Sequence, residues 1–248
     1  MNAAQVKDDP DLARMLRGLE EALGPKLRSV VLYGSAARGD YHKERSDLNL
    51  LLVLEDLELK TLQALGPPVA RWRARGHHVP RLFTPASLVE SADVFPIEFL
   101  DIRSGRLVLR GDDPFARLDI RTHQLRLQCE RELREKLMRL QEGYVEGHAR
   151  RRDLDWLLSD SYGSFVALFR GCLRLLGVDV PPRNHEVVAA FCARAGLDPA
   201  PFEEIERLRR GEGAGLEPKA TFARYYEQLM KAVRVVDRFQ TPQGGAAR

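Results

Sequence analysis

Two short apolar segments on either side of a polar loop constrain the fold of the first half of the chain most strongly. Residues 28–33 have the sequence RSVVLY, and residues 47–56 have the sequence DLNLLLVLED. Short runs of β-branched and aliphatic residues are typical of strands, and the unbroken Leu and Val run predicts burial on both faces of a sheet. Gly34 follows the first segment directly. The sequence therefore predicts two buried strands joined by a loop that begins with glycine.

The remaining elements of this half are predicted from the spacing of their apolar residues. In chain order they are a helix from the N-cap region at Asp9 to Leu23, a helix over 57–75, a strand over HHVPRLF (77–83), a short helix after Thr84, a strand over FPIEFLDI (95–102) and a short element over GRLVLRG (105–111). This order of strands and helices indicates an α+β domain.

The chain changes character at Gly111–Pro114, and beyond it the apolar residues recur at three and four, as in helices. The predicted helices cover residues 116–150, 153–177, 184–196, 200–210 and 218–239. We therefore predict an α+β domain over residues 1–115, an all-helical domain over 116–240 and a flexible tail over 241–248.

Composition limits the classes of function. The formal net charge of the 248 residues is only +3, which excludes a polycation built to coat nucleic acid. Cys129, Cys172 and Cys192 are widely spaced and form no CxxC pair, so we expect buried, reduced thiols. No apolar run approaches the ~18 residues of a membrane span. We expect a cytoplasmic protein with no membrane contact.

Gly34 and Ser35 are candidates for phosphate binding. Glycine after a strand lets the backbone approach a phosphate closely, and backbone N–H groups with the Ser35 hydroxyl suit phosphate oxygens. Arg38, one turn further on, supplies a cation. The alternative is an ordinary turn, and the residues that follow decide between the two.

Asp47 and Asn49 are two residues apart in the second predicted strand, so their side chains project from one face. Paired carboxylates at this spacing hold Mg²⁺ together with substrate phosphates. Glu98 is the single acid within an apolar stretch of the strand predicted over 95–102. Because a buried acid is costly unless it is paired or bound to metal, Glu98 is a further candidate.

These residues together resemble a known family. The stretch GSAARGDYHKERSDLNLLLV (34–53) is similar to the signature of the DNA polymerase β-type nucleotidyltransferase superfamily: Gly-Ser, a variable loop, then Asp-x-Asp/Glu. It is most similar to the bacterial branch of antibiotic and minimal nucleotidyltransferases. The stretch IEFLDIRSGRLVLRG (97–111) resembles the part of that branch that contains the third catalytic acid. The helical half resembles the bundle of kanamycin-type nucleotidyltransferases.

The resemblance implies a nucleotidyltransferase fold, a mixed sheet flanked by helices, followed by a helical bundle. It implies Mg²⁺ or Mn²⁺ at Asp47, Asn49 and Glu98, and ATP or another nucleoside triphosphate at the Gly34 loop, in a cleft between the domains. The reaction moves a nucleoside monophosphate to a hydroxyl acceptor on a small molecule or a protein. Glu98 then binds metal or accepts the proton of the acceptor.

Asn49 departs from the family pattern, because it stands where a second carboxylate is expected. Asparagine keeps an oxygen ligand but removes one negative charge, which weakens metal binding. A second interpretation is therefore a degenerate transferase, kept as a nucleotide sensor or a protein-interaction module, for which a homodimer is one assembly. A third is an RNA-binding regulator that uses a basic helical face.

The helical half offers few site candidates. Residues 157–177 form its predicted core helix. Tyr162 and Arg170 are candidates on this helix, because the resemblance implies that such a helix faces the catalytic cleft. The run over 121–153 mixes Arg, Lys and Glu. We favour a solvated helix with i,i+4 ion pairs over nucleic-acid binding.

Overall fold

The structure is a computed structural model that describes residues 8–38, 48–147 and 150–239, without the side chains of Ser35 and Arg38. The chain divides into two compact units, Met1–Ile120 and Arg121–Arg248. The first unit contains a mixed sheet with helices, and the second contains helices only among its described residues. This architecture confirms the predicted fold class.

The described elements of the first unit alternate between helices and strands. They are α1 (Pro10–Leu23), β1 (Leu27–Tyr33), α2 (Ser35–Arg38), β2 (Asn49–Leu54), α3 (Leu59–Arg73), β3 (Arg81–Phe83), α4 (Pro85–Glu90), α5 (Pro96–Ser104) and β4 (Arg106–Gly111). The Asp9 carboxylate caps α1 by accepting from the N–H groups of Asp11 and Leu12.

The four strands form one sheet in the order β3-β2-β1-β4. β1 runs antiparallel to both β2 and β4, whereas β3 runs parallel to β2. In the β1–β2 register, Tyr33 lies opposite Asn49 and Val31 lies opposite Leu51. In the β2–β3 register, Leu51 lies beside Arg81.

Both faces of the sheet are covered, as the apolar run in β2 predicts. On one face Leu50 and Leu52 pack with the apolar residues of α1 and α3. On the other face Val31, Leu51 and Val53 pack with α4, α5 and the segment that follows β4. We call this second face the α5 face.

The strand predicted over 95–102 is wrong, because this segment forms helix α5. Pro96, Phe99 and Ile102 are its buried residues, at a spacing of three, and Phe99 packs edge-on against Phe83 and Phe115. The apolar residues also alternate over 95–99, which is the pattern of a strand. Proline at the first helical position is the helix-start signal that distinguishes the two.

The second unit contains five described helices close to the predicted ranges. They are α6 (Thr122–Glu146), α7 (Arg151–Leu175), α8 (Asn184–Ala195), α9 (Ala200–Arg209) and α10 (Pro218–Asp237). α7 contacts each of the other four and supplies Phe165 and Phe169 to the core. Phe169 stacks on Phe191 with ring centroids 4.2 Å apart, and Tyr225 meets Phe165 edge-on at 6.1 Å. Aromatic packing therefore centres this unit on α7.

Tyr162 and Arg170 have structural partners inside the helical unit. The Tyr162 hydroxyl donates to Glu206 over 3.2 Å, and this tyrosine is buried. Arg170 donates to the carbonyl oxygens of Pro181 and Pro182, both over 2.9 Å. Tyr162 thus contributes to packing within the helical unit, and Arg170 fastens the loop at Pro181 and Pro182 to its own helix.

Charged and sulfur-containing side chains of this unit match the expected structural roles. On α6, Glu130 forms ion pairs with Arg126 at 2.8 Å and Arg134 at 3.0 Å, as expected for a solvated helix. The three cysteines are free and buried. Burial raises the pKa of Cys192 to about 12, which keeps its thiol protonated and unreactive. Across the described residues, no helix has the length and apolar character that crossing a bilayer requires.

A polar cluster centred on Asp56 connects the sheet to α3 in the first unit. The Asp56 carboxylate forms an ion pair with Lys26 at 2.8 Å and accepts from the Thr61 hydroxyl and from the N–H of Glu58. The hydrogen bond from Lys26, followed by that from Thr61, lowers the pKa of Asp56 to about 2. Asp56 therefore stabilises the fold in its ionised form.

We expect Asp56→Asn to lower the unfolding temperature at neutral pH and to reduce its dependence on acid pH. The folded pKa lies below the unfolded value of about 3.9, so the contribution is fully present above that pH. It is lost as the pH falls through about 2. The unfolding temperature, measured from roughly pH 5 down to pH 2, tests this loss of stability, because the Asp56 carboxylate becomes protonated over that range. Asp93→Asn, at an exposed site, is the matched control. A difference in unfolding temperature between wild type and Asp56→Asn that stays constant across this pH range would contradict the stabilising role of the ionised Asp56.

Candidate functional site

One edge of the sheet collects most of the chain segments that the sequence marks as functional. β1 ends at this edge, and β2 and β4 begin there because both run antiparallel to β1. β3 also starts on this side, because it runs parallel to β2. We call it the Gly34 edge, and its described members are Tyr33, Gly34, Asn49, Arg81 and Arg106.

Gly34 is required at this edge for two reasons. Its φ angle is +85°, in the left-handed region that residues with a side chain rarely adopt. A Cβ atom at this position would also lie 3.2 Å from the side-chain nitrogen of Asn49. The turn after β1 therefore has a bare backbone packed against the Asn49 amide, which suits close approach by a ligand.

Asn49 opens β2 on the α5 face of the sheet. It lies directly opposite Tyr33, and it shares its face with Leu51 because side chains alternate along a strand. The residue is half-buried. Its amide supplies an uncharged oxygen and nitrogen at the point where the sequence resemblance places a carboxylate.

Arg81 is the first residue of β3, the strand next to β2. Because it lies beside Leu51, it projects from the same face as Leu51 and Asn49. Strand geometry places the Cα atoms of Arg81 and Asn49 about 8 Å apart. The side chain of Arg81 is exposed and makes no ion pair with any described acid. The α5 face therefore carries an available cation beside Asn49.

Arg106 also lies at this edge, but its charge is neutralised. It pairs with Tyr33 in the β1–β4 register, and its guanidinium donates to both carboxylate oxygens of Asp113, with Nε 3.0 Å from each. The hydrogen bond from Arg106 lowers the pKa of Asp113, so this pair stays ionised. The Arg106 guanidinium thus binds Asp113 and holds the segment after β4 in place.

Two histidines brace the start of β3 against β2. The His77 ring packs against Trp72 in a tilted arrangement with centroids 4.0 Å apart, and its Nδ1 accepts from the N–H of Leu48 over 3.4 Å. The Trp72 indole N–H donates to the carbonyl oxygen of His78 over 2.9 Å. These contacts fix the chain just before Arg81 relative to the start of β2.

The predicted site residues are only partly described by the structure. Gly34 and Asn49 lie close together, whereas Asp47 lies outside the described residues. Ser35 and Arg38 belong to α2, but their side chains are not described. Glu98 is half-buried on α5, not in a strand. Glu98 is therefore not a buried acid within a strand, and its catalytic role stays a prediction.

The described residues do not by themselves fit a divalent cation. Within the described ranges, no group of three His, Cys, Asp or Glu residues lies close enough together to hold a metal ion. At the Gly34 edge, the α5 face presents the neutral amide of Asn49 and the guanidinium of Arg81. Mg²⁺ requires oxygen ligands, usually with one or two carboxylates, and a guanidinium supplies neither.

Arg81 is a candidate functional residue that the sequence analysis missed. Its segment was predicted as a strand over 77–83, but the strand spans only Arg81–Phe83. The parallel pairing of β3 with β2 joins residues about thirty positions apart, and no local pattern reports such pairing. The only sequence signal for Arg81 is a cation within a short predicted strand.

Comparison with known proteins agrees with this geometry. Residues 12–79 match the family model of the nucleotidyltransferase domain, of the DNA polymerase β type. The match covers less than half of the chain and includes β1, Gly34, α2 and β2. None of the curated proteins compared with the chain matches it.

We expect Gly34→Ala to destabilise the first unit by about 1–2 kcal/mol, the usual cost of a left-handed backbone for a residue with Cβ, plus the cost of its contact with Asn49. Gly24→Ala is the matched control, because Gly24 also has a positive φ of 51° but has open space around it. Urea unfolding of both variants separates backbone strain from the contact. Adding Asn49→Ala to Gly34→Ala should restore part of the loss. If Gly34→Ala lowers the free energy of unfolding equally with and without Asn49→Ala, the contact with the Asn49 amide contributes nothing to the destabilisation.

Proposed function

We propose that the first unit binds a nucleoside triphosphate at the Gly34 edge, as a nucleotidyltransferase-like protein. The observation that carries the proposal is the turn at Gly34, where a left-handed glycine directly follows a buried strand inside the matched family region. A backbone without a side chain permits phosphate oxygens to approach its N–H groups. Ser35 and Arg38 follow in sequence as predicted phosphate ligands.

If the protein transfers a nucleotide, the chemistry is an in-line displacement. The oxygen of an acceptor hydroxyl forms a bond to the α-phosphorus, the bond from that phosphorus to the β-phosphate oxygen breaks, and pyrophosphate leaves. The hydroxyl proton passes to a base, for which Glu98 remains the predicted residue. A metal at Asp47, Asn49 and Glu98, the position of the nucleotide between the two units, and kinship with the bacterial antibiotic branch stay predictions.

The second candidate is nucleotide binding with little or no transfer. It is favoured by Asn49 on the α5 face, since an amide lacks the charge that stabilises cations and the transferred phosphate. On this interpretation the domain acts as a nucleotide sensor or interaction module. RNA binding through a basic helical face has less support, because the charges of α6 are largely used in ion pairs along the helix.

We expect ATP to bind the wild-type chain and Ser35→Ala and Asp47→Ala to weaken that binding. Each substitution removes a predicted contact with phosphate or its counter-ion, so a loss of about tenfold per contact is expected. Calorimetric titration of ATP, with and without Mg²⁺, measures this. Thermal unfolding of each variant shows that it is folded. Absence of binding by folded wild-type protein would overturn the proposal.

We further expect Asn49→Asp to increase transfer of label from α-labelled ATP, because it adds the carboxylate that the family pattern has at this position. The readout is label retained on the protein or on an added hydroxyl compound after the free nucleotide is removed. Asn184→Asp, in the second unit, is the matched control, because the carbonyl oxygen of Asn184 accepts from Arg170 and a carboxylate preserves that bond. If Asn49→Asp does not increase the transfer of label, the result would favour a nucleotide-binding module over an enzyme with weakened activity.

A further inference from the structure

We infer that Arg81 binds the nucleotide phosphates at the Gly34 edge, so that nucleotide binding does not require a divalent cation. This inference rests on the proposed function and specifies how the same edge holds its anionic ligand. It assigns to a guanidinium the charge neutralisation that the family resemblance assigns to metal.

The position of Arg81 is the first observation that supports this assignment. The register of β3 with β2 puts Arg81 beside Leu51, two residues along from Asn49 and on the same face. The Cα separation of about 8 Å from Asn49 lies within the reach of an arginine side chain. A phosphate group near the Gly34 turn and Asn49 is therefore accessible to the Arg81 guanidinium.

The availability of the Arg81 charge is the second observation. Arg106, the other described cation on this face of the edge, is bound by Asp113 on two nitrogens. Arg81 is exposed, and its side chain has no ion-pair partner in the described parts of the chain. An anionic ligand that reaches Arg81 therefore does not have to displace a described protein carboxylate.

The fixed placement of the β3 start is the third observation. The tilted contact of His77 with Trp72, and the hydrogen bonds from Leu48 and from the Trp72 indole, hold the chain at 77–78. Pro80, immediately before Arg81, is buried. The backbone that carries the guanidinium is thus anchored just before the strand start, and less ordering is needed when a ligand binds.

The chemistry of the edge distinguishes this arrangement from a metal site. A guanidinium donates two parallel hydrogen bonds to a phosphate and stays charged at every physiological pH. A divalent cation placed on the same face would be repelled by Arg81, and within the described residues no three His, Cys, Asp or Glu side chains lie close enough together to hold one. The ligand class that fits is a di- or triphosphate, whose several oxygens reach both the Gly34 turn and Arg81.

The test is calorimetric titration of ATP in buffer that contains EDTA and in buffer that contains Mg²⁺. We expect wild-type affinities in the two buffers to agree within about threefold, and Arg81→Gln to lose about tenfold or more in both, as for a charge-assisted hydrogen bond. Arg81→Lys should retain part of the affinity, because it keeps the charge but not the paired hydrogen bonds. Arg73→Gln is the matched control, at an exposed position on α3, which packs on the opposite face of the sheet.

Tripolyphosphate provides a second probe that lacks the base and ribose. It should compete with ATP for the wild-type protein and compete poorly for Arg81→Gln. Thermal unfolding of each variant shows that any loss of binding comes from a folded chain. Because Arg81 is exposed at the end of a short strand, we expect Arg81→Gln to fold normally.

The outcomes separate this inference from the proposed function. Binding that appears only with Mg²⁺, or that is unchanged in Arg81→Gln, would overturn the role of Arg81 and leave nucleotide binding in place. Absence of ATP binding by the wild-type protein in both buffers would overturn both. Metal-independent binding that Arg81→Gln abolishes and Arg73→Gln preserves would establish Arg81 as the phosphate ligand.

Discussion

The antiparallel pairing of β1 with β2 is the constraint on which the rest of the first unit depends. Leu50 and Leu52 face the core beneath α1 and α3, while Leu51 faces the core beneath α5. A slip of one residue would exchange these faces, so burial on both sides fixes the register. That register brings Gly34 against Asn49, and the candidate site is therefore positioned mainly by apolar packing.

The same sheet gives the Gly34 edge a charge pattern that differs from the one implied by the sequence resemblance. Asn49 and Arg81 project from one face of adjacent strands, where an amide and a guanidinium suit anions better than cations. The neutral pair of Arg106 and Asp113 lies on the other side of Tyr33 and adds no net charge. In the proposed function, affinity for phosphate and weak transfer are two consequences of one arrangement of side chains.

The spacing of apolar residues predicted the secondary structure correctly wherever it fitted only one period, that of a helix or that of a strand. The helices of the second unit follow apolar spacings of three and four, and their cores are completed by aromatic residues at those positions, such as Phe165 and Phe169 on α7. The pattern failed over 95–102, where Phe95, Ile97 and Phe99 alternate although the segment is helical. In so short a stretch both periods fit, and packing of Phe99 against Phe83 and Phe115 selects the helix.

The sequence by itself determined the two strands around Gly34, the glycine turn after the first of them, the asparagine at position 49 and the division into an α+β half and a helical half. These features are local, since they depend on residue type, turn chemistry and short-range periodicity. Only the tertiary structure decided that β3 lies parallel to β2 and that Arg81 therefore shares a face with Asn49. Pairing of strands about thirty residues apart depends on the closure of α3 over the sheet core, and a packing event of that kind has no local sequence signature.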